Sequence, residues 1–288
     1  MDLELRHLRY FVAVAEERHF SRAAQRLHLA QPPLSQQIQR LEAIVGSQLL
    51  VRTSRSVSLT PAGAAFLERA RRLLAQAEES VGEAARIGRG EQGTLDVGFV
   101  SSAITLGVPE RIQAFRERFP DIYTRLHEGQ TSQIISRLMQ GEVDLGIVRD
   151  AEPRDDLTIA ILATESFVAV LPRHHAHAGK KRLGANALRN EPFVFYPRTA
   201  GELAYRRNLQ PCVDAGYEPR IVQEATNWVT AFHLVGAGVG VSVAPASAAE
   251  IRPATVVTIP LAGPCRSEVQ LVTRVHDDRA VIRNFAAV

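Results

Sequence analysis

Between Gln31 and Arg40 the chain carries Gln31, Ser35, Gln36, Gln39 and Arg40 and no acidic residue. Amides, hydroxyls and guanidinium groups without intervening carboxylates suit one kind of chemistry: paired hydrogen bonds to the edges of bases, with phosphates held nearby. Arg52 and Arg55 follow on a short polar stretch flanked by Leu49-Leu50-Val51 and Val57-Ser58-Leu59, placed to hold backbone phosphates or enter a minor groove. A second set of polar residues lies further on. Ser101-Ser102, Gln130-Thr131-Ser132 and Thr226-Asn227 each follow a strand-like run, where hydroxyls, amides and free backbone N–H groups favour a small carboxylate. Arg149 adds charge there, and Tyr196 and Trp228 are aromatic rings able to stack on a ligand.

The elements that must position the first set are short helices. Leu5, Leu8, Val12 and Ala15 space one amphipathic helix, and Phe20, Ala23, Ala24 and Leu27 space a second with Ser21 as its N-cap. After the break at His28–Gln31, Pro32 and Pro33 suit the first turn of a third helix that buries Leu34, Ile38 and Leu41. Two small alanines where the second helix must cross the third give a helix-turn-helix, with the 49–59 stretch as a basic hairpin, or wing. Thr60-Pro61 then reads as a cap and first-turn proline of a long helix, spaced by Phe66, Leu73, Leu74, Val81 and Ile87. Such a thin rod is predicted to pair with a second copy, and Gly82, Gly88, Gly90 and Gly93 are predicted to weaken its far end into a hinge.

From Thr94 onward strand-like and helix-like runs alternate. Strands are predicted at 95–100, 122–128, 145–148, 166–171, 193–196, 221–224 and 239–243, and helices at 106–119, 132–140, 203–215 and 228–234. The alternation predicts a mostly parallel α/β sheet in each of two lobes.

The residues Phe20-Ser21-Arg22-Ala23-Ala24, Leu27, Gln31-Pro32-Pro33-Leu34-Ser35, Ile38, Leu41-Glu42, Gly46, Leu49, Arg52 and Leu59-Thr60-Pro61-Ala62-Gly63 together resemble the N-terminal signature of LysR-type transcriptional regulators. Two positions depart from it. Ala30 stands where the family has a capping Ser or Thr, and Leu50 where it has Phe. The resemblance, closest to regulators of aromatic catabolism, implies an all-α winged helix-turn-helix over 1–60, a linker helix over 61–90 and a periplasmic-binding-protein-like effector domain over 91–288. Lobe I would take about 91–162 and 264–288, and lobe II about 163–263. It places DNA contacts on Gln31, Pro32, Ser35, Gln36, Arg52 and Arg55. It places effector contacts on Ser102 and Thr131, with Asn227 and Trp228 on the opposite lip, and the residue chemistry above adds Ser101, Arg149 and Tyr196.

Its implied partners are a two-fold-related duplex operator, a small anionic or aromatic-carboxylate effector, and a second copy of the chain paired through the linker into a dimer and then a tetramer. RNA polymerase is a further partner if the protein is an activator. No cofactor and no metal are expected.

Composition agrees with a head and a body of different charge. Of the 34 basic residues only Lys180 and Lys181 are lysine. Residues 1–60 hold eight arginines against five acids, whereas the chain beyond residue 90 is close to balanced. Two cysteines, Cys212 and Cys265, exclude a disulfide scaffold, and the absence of a basic, apolar leader points to the cytoplasm. His174-His175-Ala176-His177 lacks companion ligands for a metal, and Gly236-Ala237-Gly238-Val239-Gly240 ends a helix instead of opening one, against a dinucleotide turn. Two rival readings are a solute-binding protein, which would need export, and an α/β enzyme with Ser101 or Ser102 as nucleophile, which would need a positioned base.

Overall fold

The computed structural model describes residues 2–52 and 56–288. The chain divides into two compact units, Met1–Arg86 and Ile87–Val288.

In the first unit, α1 (Leu5–Glu17), α2 (Phe20–Arg26) and α3 (Gln31–Val45) precede a two-stranded hairpin, β1 (Leu50–Arg52) with β2 (Val57–Leu59). The helix α4 (Pro61–Gly88) follows. Leu8, Phe11 and Val14 form the buried stripe of α1. Leu5, expected to lead that stripe, is exposed, because the packed face starts one turn later. Ala23 and Ala24 are buried where α2 meets α3, alongside Leu34, Ile38 and Leu41. Larger side chains there would push the two helices apart.

Ser21 is not the cap of α2. His19 holds that position, and its Nδ1 accepts the Ser21 N–H at 3.1 Å. Ala30 caps α3 without a side-chain bond, and Pro32 and Pro33 in the first turn reduce the number of N–H groups left without a partner. Thr60 does cap α4, its Oγ1 accepting the Gly63 N–H at 2.9 Å. Position 63 tolerates only glycine, since a Cβ would lie 1.9 Å from the Leu49 carbonyl oxygen. Leu67 and Ala70 pack α4 onto the head, and Phe66 meets Phe11 edge-on. Further along, Leu73, Val81 and Ile87 are exposed. Gly82 does not break the helix, which is continuous to Gly88.

The second unit is built on two sheets. β3 (Gln92–Phe99), a 3₁₀ turn (Ser101–Leu106), α5 (Val108–Arg118), β4 (Asp121–Glu128), α6 (Thr131–Met139), β5 (Leu145–Arg149) and β6 (Leu157–Glu165) open the first lobe. The chain then crosses into the second with β7 (Phe167–Pro172), β8 (Leu183–Gly184), β9 (Pro192–Phe195), α7 (Glu202–Asp214), β10 (Arg220–Glu224), α8 (Trp228–Gly236), β11 (Ser242–Pro245), a 3₁₀ turn (Ala246–Ile251) and β12 (Val256–Ala262). It returns through β13 (Ser267–Arg274) and ends on α9 (Ala280–Ala286).

The first sheet runs β4-β3-β5-β13-β6 and the second β11-β7-β12-β8, with β9 and β10 as a separate pair. Neither main sheet is mostly parallel. β13 runs antiparallel to both β5 and β6, and β7 antiparallel to both β11 and β12. β6, β12 and β13, which carry no strand signal in the sequence, supply every antiparallel pairing in these sheets except that of β7 with β11, where two expected strands pair antiparallel. The expected helix at 106–119 splits at Gly107, whose φ of +84° ends the 3₁₀ turn and starts α5. The strand expected at 239–243 begins at Ser242.

Candidate functional site

In the first unit α3 presents its polar face outward. Gln31, Pro32, Gln36, Gln39 and Arg40 are exposed and Ser35 is half-buried. Three contacts missed in the sequence hold this face. Ser21 Oγ donates to Gln31 Oε1 at 2.9 Å, tying the first residue of α3 to α2. His7, fully buried, accepts the Glu4 N–H at Nδ1 (3.1 Å), so its proton sits on Nε2 and is donated to Gln37 Oε1 at 3.0 Å. Glu42 Oε1 accepts the N–H groups of Leu49 and Leu50 at 3.0 and 3.1 Å, fixing the start of the hairpin to the end of α3. Leu50, at the departure from Phe, is buried.

Arg52 already has partners. It forms an ion pair with Glu42 Oε2 at 3.1 Å, donates to Ser35 Oγ at 3.2 Å and lies over the Phe20 ring at 4.9 Å. One guanidinium therefore joins α2, α3 and β1. The second wing arginine, Arg55, lies outside the described residues.

In the second unit the expected effector residues separate into three groups. Ser101, Ser102, Asn227 and Trp228 line one pocket of about 440 Å³ between the lobes, with Ile104, Glu128 and Ile251. Asn227 caps α8, its Oδ1 accepting the Thr230 N–H at 2.8 Å, which leaves the first N–H groups of the helix facing outward. Tyr196 does not stand apart as a stacking platform. It stacks on Trp228 at 5.7 Å and 18°, and burial pushes its hydroxyl up to about 12.

Thr131 belongs instead to a second cleft of about 590 Å³, shared with Ser132, Asp150, Arg154, Arg198 and Gly201. Its own hydroxyl turns inward, donating to the Arg149 carbonyl at 3.1 Å and accepting the Arg149 N–H at 3.3 Å. Ser132 Oγ bridges the lobes by donating to the Thr199 carbonyl at 2.8 Å.

Arg149 stands between the two pockets and is buried. Nε donates to Ser102 Oγ at 2.8 Å, Nη1 to Ser267 Oγ at 3.1 Å, and Nη2 to the Ser102 carbonyl and Ser247 Oγ, both at 3.1 Å. Glu165 pairs with it at 2.5 Å and also accepts the Ser247 N–H and hydroxyl at 2.6 and 3.0 Å. Arg149 is therefore no open cation for an effector. It is the centre of a network joining β5, the Ser101–Leu106 turn, β13 and the second lobe. Asp150 beside it has its carboxyl pushed up by burial, against bonds from Ser267 and the Glu268 N–H. Glu165 and Ser267 have no local sequence signal because they reach Arg149 only once β6 and β13 pair across them, and Ser247 reaches it from the 3₁₀ turn of the second lobe.

Residues 5–64 match the model of the bacterial regulatory helix-turn-helix proteins of the lysR family, and residues 88–288 match the LysR substrate binding domain. Among curated relatives, an uncharacterized HTH-type transcriptional regulator YnfL of Escherichia coli K12 is 40% identical over 99% of this chain and 97% of its own. The Hca operon transcriptional activator HcaR of the same organism is 38% identical over the same shares. Among solved structures, full-length CbnR complexed with its target DNA superposes with a TM-score of 0.81 at 30% identity, covering 99% of this chain and 98% of that one.

Proposed function

The chain belongs to the LysR family of transcriptional regulators, and from that premise we propose how its two units divide the work. It is a DNA-binding regulator with an effector-binding domain, not an enzyme. Gln31, Pro32, Ser35 and Gln36 read base edges in a major groove, and the wing arginines secure phosphates beside it. Arg52 first positions α3 against the wing, and its exposed edge meets the duplex. The exposed Leu73, Val81 and Ile87 on α4 support pairing with a second copy, so that two heads read a two-fold-related site in the cytoplasm. A tetramer, activation and a contact with RNA polymerase extend this reading. Among the described residues no helix is long and apolar enough to cross a membrane.

We place the effector in the pocket of Ser101, Ser102, Asn227 and Trp228, and assign it as a small carboxylate with an apolar or aromatic body. One observation carries this. Arg149 Nε donates to Ser102 Oγ, so the Ser102 hydroxyl proton is directed to another acceptor, and the buried guanidinium polarises it. The unbonded N–H groups at the start of α8 face the same space, while Ile104, Val229 and Ile251 suit an apolar body. Binding there biases the closure of the lobes and, through α4, the setting of the heads.

Thermal unfolding with aromatic monocarboxylates, unsaturated diacids and amino acids tests this. A carboxylate at ~100 times its Kd stabilises by about 2.7 kcal/mol, and the shift is lost in Ser102→Ala. A shift that survives Ser102→Ala, or no shift with any of these carboxylates, contradicts it.

A further inference from the structure

Lobe II carries a further polar groove, which shares no lining residue with the two pockets above. It measures about 830 Å³ and is lined by Arg173, Gly179, Arg252, Val256 and Thr258, among others. Its floor is the unpaired edge of β12. The Arg173 N–H donates to the Thr255 carbonyl at 2.9 Å, which fixes the register of β12 against β7. Bonded positions alternate along an antiparallel ladder. Val257 and Ile259 therefore face β7, while Val256, Thr258 and Pro260 turn their backbone groups the other way. On that side β8 pairs only with Leu261 and Ala262. The Val256 carbonyl and both backbone groups of Thr258 are left facing the groove, and no loop among the described residues bonds to them.

The charged residues that line the groove, Arg173 and Arg252, are both basic, and so are the chain segments that carry them. From Ser166 to Asn190 the chain has no acid but includes Arg173, Lys180, Lys181, Arg182 and Arg189, and from Ile251 to Ser267 it has no acid but includes Arg252 and Arg266. Both lysines of the protein lie in this loop, exposed and in no ion pair among the described residues. Arg173 and Arg252 use one nitrogen each on the carbonyls of Ala254 and Ala249, at 3.1 and 2.7 Å, and are otherwise exposed.

We propose that this groove docks an extended acidic polypeptide segment, which adds as a short strand beside Val256–Thr258 with its carboxylates against Arg173, Lys180, Lys181 and Arg252. Strand addition supplies the main-chain bonds, and charge supplies the choice of partner. The same cations repel neutral or basic strands, so the edge is guarded against indiscriminate pairing while remaining open to an acidic one.

The test uses the full chain and a fluorescent peptide of alternating Glu and Val, read by anisotropy. Binding is expected below ~1 mM, weakening about tenfold in the Lys181→Glu/Arg252→Glu double variant and about tenfold when alternate peptide amides are N-methylated. Thr258→Pro, which removes an outward N–H without touching the β7 ladder, gives a smaller loss. Three results would overturn the proposal: no binding at ~1 mM, equal binding of the N-methylated peptide, or a random duplex displacing the peptide and losing affinity equally in the double variant. The last would assign the surface to nucleic acid.

Discussion

Arg52 in the head and Arg149 in the body are built alike and differ in depth. Each joins its element to a serine hydroxyl and a glutamate carboxylate, Ser35 and Glu42 for one, Ser102 and Glu165 for the other. The Arg52 side chain is 29% exposed and that of Arg149 only 6%. An exposed pair is worth roughly 0–1 kcal/mol and can be exchanged for a phosphate. A buried pair cannot lose one partner without leaving a charge in a dry site. The same three residue types therefore make an adjustable contact at the exposed face of α3 and a fixed pin between lobes. Sequence alone presents both arginines as open cations. Only their surroundings separate them.

The largest difference between the two arginines should appear at Glu165. Glu165→Ala strands the Arg149 guanidinium and should cost about 3–5 kcal/mol. For a domain of this size that is a fall of roughly 10 °C in the unfolding of the effector unit, read by calorimetry. A change under ~1 kcal/mol would mean that the network holds nothing together.

At Arg52 the effect is smaller. Arg52→Ala should weaken binding to any duplex about tenfold in gel shifts, with little change in melting. Equal loss of stability and binding would make it a packing residue alone. Smaller still, Glu42→Gln frees the Arg52 guanidinium and removes an acid from the face proposed to meet DNA. Non-specific affinity should rise a few-fold, with a steeper salt dependence corresponding to about one more phosphate contact. An unchanged slope would show that Arg52 does not reach phosphate.

The head was largely legible in the sequence because its signals are local. Leu34, Ile38 and Leu41 recur at helical spacing, and Pro32-Pro33 and Thr60-Pro61 mark helix starts within a few residues of the contacts they serve. Ser21 misled because a hydroxyl near a helix start looks the same whether it caps the helix or, as here, bonds Gln31 on the next one. The body was legible as an alternation of elements but not in its pairing. β6 is an edge strand with Ile161 exposed, and its only ladder partner among the described residues, β13, lies about a hundred residues downstream. No short-range pattern marks such a strand. The residues that depend on it, Glu165 and Ser267, were invisible for the same reason. Ser102, Asn227 and Trp228 were found because each sits at an element boundary, and the structure gathers them into one pocket.

In the proposed reading, the exposed amide face of α3 reads sequence while the arginines beside it hold the backbone. In vitro selection from a random duplex library, run in parallel on the wild-type chain and Gln36→Ala, tests it most directly. The wild-type chain should enrich an inverted repeat. Gln36→Ala should lose preference at one base pair in each half-site, at a cost of about 1–3 kcal/mol there, and keep the rest of the motif. Recovery of the same full motif by both proteins would contradict the assignment of α3 as the reading helix.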